Sequence, residues 1–149
     1  MSEATDIEDA RVVRARISAS PITVESCAAA VESASAGAVV TFAGVVRDHD
    51  EGRGVTALGY TAHPDAEATL RAVAAEIAAR HPAVTIAVEH RTGDLVVGDV
   101  ALACAVASAH RGAAFAACSE LVNEIKKRVQ IWKEQSFDDG SSEWVASLG

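Results

Sequence analysis

Strands and helices interleave along this chain in an order that predicts an α+β domain, a mixed sheet with helices packed against it. Three observations carry that expectation. Runs rich in β-formers, such as AVVTFAGVV (38–46) and VALACAVAS (100–108), alternate with stretches whose apolar residues recur at helical spacing. Half of the residues are hydrophobic and 23% are charged, the balance of a packed globular chain. Only 4% are aromatic, so alanine and valine must fill much of the core. A chain of 149 residues can bury roughly two thirds of its unfolded surface around one core, which sets the expectation of a single domain over 11–149 behind an acidic arm at 1–10.

RVVRARIS (11–18) alternates as a strand does, and Pro21 with Thr23 then opens a helix through VESCAAAVES that closes near Gly37. AVVTFAGVV is the next strand. RDHDEGRG (47–54) reads as a mobile polar loop before a short strand at VTALGY. Leu70, Val73 and Ile77 mark a helix beginning near Pro64 and ending before Pro82. AVTIAVEH (83–90) and VALACAVAS are strands, with RTGDLVVGD a turn and short β segment between them. Phe115, Cys118, Val122, Ile125 and Val129 mark the buried stripe of a last helix over about 113–128. VQIWKEQSF is then extended, and DDGSSEW is a turn before an anchoring Trp144. The first six elements also match the split βαβ order of ferredoxin-like folds.

A formal net charge of -8 argues against nucleic acid as the main ligand. No apolar stretch approaches the roughly 20 residues of a membrane helix, and the acidic start has no leader character, so a cytoplasmic protein is expected. Cys27, Cys104 and Cys118 make an odd count without C-x-x-C spacing, which suggests neither a disulfide framework nor a zinc site. The five histidines show no metal-binding pair, and no P-loop or G-x-G-x-x-G appears. No metal and no cofactor are therefore expected.

The lysines are distributed unevenly. All three lie at 126, 127 and 133, while ten arginines are spread along the chain. Lys126 borders the apolar stripe of the last helix; Lys127 and Arg128 suit the dipole of its final turn without any further role. Strand alternation sends Lys133 to the face opposite Trp132, which would anchor the segment. If Lys126 and Lys133 converge, each lowers the other's pKa and partial burial lowers it further, giving an acid, base or nucleophile near neutral pH. His110 and Arg111 sit at a strand-to-helix junction where free N–H groups favour an anion, with Gly112 allowing close approach; taken alone, the pair is more simply a surface arginine and a histidine that caps or packs. Arg47 stands where a strand gives way to a loop, a place for a third cation or for a solubilising charge.

Taken in order, GAVVTFAGVVRDHDEG, HRTGDLVVGDVALACAVASAHRGAAF and LVNEIKKRVQIWKEQSFDDGSSEWV resemble the large, catalytic subunit of molybdopterin synthase, from about residue 37 to 145. The resemblance implies an α/β-hammerhead fold and a sulfurtransferase of molybdenum cofactor biosynthesis. Its substrate would be cyclic pyranopterin monophosphate. Its sulfur would come from a small ubiquitin-like carrier whose Gly-Gly C-terminus is a thiocarboxylate, in a heterotetramer built on a homodimer. By position, Val45, Val46, Arg47, His110, Arg111, Lys126, Lys133, Glu134 and Gln135 would bind substrate, with Lys126 and Lys133 catalytic. Arg47 and His110-Arg111 would reach the site of the opposite protomer. The chain departs from the family's usual residues at Gln130 (proline), Thr61 (glutamate) and Gln135 (glutamate). Two other readings stay open on residues alone: an anion-sensing ferredoxin-like module using 108–115, and a structural dimerisation domain.

Overall fold

The computed structural model describes residues 10–50 and 52–146, so the arm expected at 1–10 lies almost wholly outside the described residues. The elements run β1 (Val12–Ser18), α1 (Val24–Val31), β2 (Ala38–Val45), β3 (His49–Asp50), β4 (Arg53–Ala62) and α2 (Ala66–Arg80). They continue with β5 (Thr85–Arg91), β6 (Gly93–Val96), β7 (Val100–Ser108), α3 (Arg111–Arg128), β8 (Ile131–Phe137) and β9 (Ser142–Ala146). Each strand and helix expected from the sequence is present within a few residues. The α+β class therefore holds, with the strands divided between two sheets.

The first sheet has the order β1-β5-β7-β2 and is mixed, β1 pairing parallel with β5 and the other pairs antiparallel. The second is antiparallel, in the order β3-β4-β8-β9 with β6 also on β4. Because β4 joins this second sheet, the ferredoxin-like reading fails: it would need β4 beside β1 and β2.

Alternation along the first sheet sorts side chains by size onto its two faces. Ile86, Val88, Cys104 and Val106 pack under α2 and α3. Ala87, Ala103, Ala105 and Ala107 point the other way, and α1 lies over them through Cys27 and Val31. Thr23 starts α1 by accepting a hydrogen bond from the Ser26 N–H at 3.1 Å, as its sequence position required. The buried carboxylate on this face, Glu89, is satisfied by Arg16 and by Arg14 at 3.5 Å.

Several details differ from expectation. The 47–54 segment is a tight hairpin in which His49 and Asp50 pair with Gly54 and Arg53, turned at Gly52 with φ +80°. Arg53 closes it over the Phe137 ring at 3.6 Å. Phe115 is 60% exposed; the stripe of α3 instead runs through Ala114, Ala117, Cys118, Leu121, Val122 and Ile125, two of them alanines that a search for large apolar residues passes over. Trp144 is no anchor. It lies on β9 opposite Glu134, exposed on the outer face of the second sheet, and Trp132 is exposed on the same face.

Candidate active site

Two structural facts bring the site together. β2 and β7 lose register between Gly44 and Val45, a bulge that turns the following Val46 and Arg47 away from the first sheet. The chain then crosses to the second sheet, leaving a cavity of about 230 Å³ between the sheet ends and the last turn of α3. At this crossing a β-carbon on Gly44 would lie 3.4 Å from the Leu102 and Phe42 side chains, so glycine leaves the packing loose there.

Lys126 enters the cavity from α3 and Lys133 from β8. Both are half-buried, and they line the same cavity, the case that spacing alone left conditional. Their neighbours are already neutralised: Arg128 forks onto Glu76 at 2.7 and 2.9 Å, and Lys127 reaches Glu124 at 3.8 Å. Lys126 and Lys133 have no ion pair among the described residues. Burial pushes the Lys133 ammonium below the usual lysine value; Asp50 opposes this, while Lys126 and Arg47 add to it. Arg47 stands at the rim, exposed, and touches Asp50 at 3.5 Å. The result is a confined cationic wall in an acidic protein, suited to a small anion.

Of the residues expected at the site, Val45, Val46, Arg47, Lys126, Lys133 and Gln135 line this one cavity. Three do not. Glu134 alternates to the opposite face of β8, across from Gly59 and Trp144. His110 and Arg111 are exposed at the far end of α3, and roughly 22 Å of helix axis separates Arg111 from Lys126. His110 caps α3 without a side-chain hydrogen bond, and Gly112 faces open space within 4 Å. The close approach in this region belongs to Gly37, where a β-carbon would sit 2.8 Å from the Ala109 carbonyl oxygen. Arg47 lines the cavity of its own chain.

Among the lining residues that sequence reasoning missed are His49, Asp50, Tyr60 and His90, the last two in contact. Their rings meet edge to face at 5.2 Å, and burial raises the Tyr60 phenol. The only signal for His90 was its place in the earlier of two His-Arg pairs twenty residues apart.

The family model described as MoaE protein matches residues 17–128, three quarters of the chain. The chain belongs to the MoaE protein family. Curated MoaE relatives include the molybdopterin synthase catalytic subunit of Aspergillus niger, 38% identical over 128 residues, or 85% of this chain and 71% of that one. Molybdopterin synthase catalytic subunit 1 of Mycobacterium tuberculosis is 37% identical over 87% of this chain and 88% of its own. Among solved structures, molybdopterin synthase from Staphylococcus aureus superposes with a TM-score of 0.82 at 34% identity, covering 87% of this chain and 95% of that one. No described helix of this MoaE member is long and apolar enough to cross a membrane.

The charge arrangement carries a pH prediction. The ionisation of Lys133 should be displaced below that of a free lysine, and Lys126→Met should move it back up by removing a nearby positive charge. Asp50→Asn should move it further down, because the carboxylate favours the ammonium. Titration of a ¹⁵N-labelled Lys133 amine by NMR reads both signs; equal values in all three proteins would show that the groups do not communicate.

Proposed function

We propose that the chain is the catalytic subunit of a molybdopterin synthase. It transfers sulfur from the thiocarboxylated Gly-Gly terminus of a small ubiquitin-like carrier protein to cyclic pyranopterin monophosphate, forming the molybdopterin dithiolene. The observation that carries this reading is the meeting of Lys126, Lys133 and Arg47 on one cavity of a MoaE-family chain. The pterin phosphate and the thiocarboxylate are both anions, and an acidic chain holds them where its cations are gathered.

Lys126, at the helix end, contacts the acyl end of the carrier and polarises its carbonyl. Lys133 contacts the pterin and, with its lowered proton affinity, exchanges protons as sulfur adds to the pterin side chain. Arg47 holds phosphate with its planar fork. Val45, Val46 and Gln135 shape the pocket around the substrate. His110 and Arg111 act on the site of a second copy in a homodimer, which with two carriers makes a heterotetramer. Residues 11–149 form the one domain needed, and the protein works in the cytoplasm.

Reconstitution tests this reading. Purified protein, thiocarboxylated carrier and cyclic pyranopterin monophosphate should yield dithiolene product. No product beside an active control synthase would sink the assignment.

A further inference from the structure

The cationic wall explains how the cavity holds anions, but two nearly buried polar groups in it are uncharged. His90 is 5% exposed and Gln135 3%. The Nδ1 of His90 lies 2.8 Å from the Arg91 carbonyl oxygen, so Nδ1 carries the proton and donates it there. Arg91 is itself tied to Asp99 at 3.4 Å, and Asp99 accepts the Val96 N–H at 2.9 Å, which fixes that carbonyl at the end of β5. The ring is held on its other side by Tyr60. Nε2 is left with a lone pair and no hydrogen-bond partner among the described residues, in a side chain that lines the cavity. Gln135 Oε1, on β8 two residues beyond Lys133, is enclosed and also has no partner.

An enclosed acceptor without a partner among the described residues is uncommon and costly, and Gln135 Oε1 together with the unpartnered His90 ring on the same cavity points to a ligand that supplies donors. We propose that His90 Nε2, with the Gln135 amide on the same cavity, forms a neutral acceptor subsite that takes N–H groups of the bound pterin while the cations hold its phosphate. This assignment rests on the function proposed above. It makes His90 a specificity-determining residue: it separates a donor-bearing heterocycle from any other phosphate of similar charge. Burial, assisted by the Lys126 ammonium and opposed by the Arg91 carbonyl, pushes the His90 pKa down to about 4, so the ring stays an acceptor at neutral pH.

Two variants separate the nitrogens. His90→Asn keeps a donor for the Arg91 carbonyl but has no atom at the Nε2 position; His90→Gln reaches that position. Calorimetric titration with cyclic pyranopterin monophosphate should show affinity about tenfold weaker for His90→Asn, the loss of one buried hydrogen bond, and near wild type for His90→Gln. Inorganic phosphate should bind all three proteins alike, and melting temperatures establish that each is folded. Equal pterin affinity in the two variants, or a parallel loss of phosphate binding, overturns the subsite. A wild-type protein that binds phosphate but not the pterin overturns the functional reading itself, and the subsite with it.

Discussion

Replacing Lys133 by alanine is expected to lower dithiolene formation by about 10²–10⁴-fold, the usual contribution of a positioned acid or base. Lys126→Ala should fall in the same range but divide differently. Lys126 is assigned to the carrier's acyl end, so its loss should act on the step that consumes thiocarboxylate. Lys133 is assigned to the pterin, so its loss should also weaken pterin binding. Lys127→Ala is the internal control: that ammonium is 71% exposed and paired with Glu124, outside the cavity. Single-turnover assays with carrier or pterin limiting distinguish these outcomes. A Lys127→Ala defect as deep as the other two would mean that overall charge, and not the cavity, matters.

The second large effect concerns residues far from the cavity. Arg111→Ala should abolish most activity although Arg111 lies at the opposite end of α3 from Lys126, because the proposed dimer delivers it to the partner's site. Co-expression supplies a strong test. A chain carrying Lys133→Ala and a chain carrying Arg111→Ala are each inactive alone, but their mixed dimer has one intact site, with Lys133 from one chain and Arg111 from the other. Recovered activity in the purified mixed dimer is the expected result. No recovery, with dimers verified by differential tags, would place Arg111 outside the site or within its own protomer's.

The sequence made the fold readable where periodicity and size agree. β7 is a continuous run of small, mostly apolar residues because both of its faces are covered, and Thr23 announces α1 through its cap. It misled where alanine does the work of a large residue: Ala114 and Ala117 carry the buried stripe of α3, so Phe115 was misplaced on it. The two tryptophans were read as anchors, whereas both are exposed: the register of β8 turns Lys133 and Gln135 toward the cavity and Trp132 away from it. The lysines were legible because their clustering is visible in one dimension. His90 was not, since its significance depends on the end of β5 meeting β8 and α3 in space. The bulge between β2 and β7 that aims Arg47 leaves no clear mark beyond Gly44.

The gathering of lysines has a consequence for chemical labelling. Two of the three side-chain amines lie in the cavity, and Lys133 holds its proton less firmly than an ordinary lysine, so more of it is nucleophilic at neutral pH. An amine-selective acylating dye meets few side-chain amines on this chain, the exposed Lys127 among them, and protection of Lys133 from it would report occupancy of the cavity without any need to observe turnover.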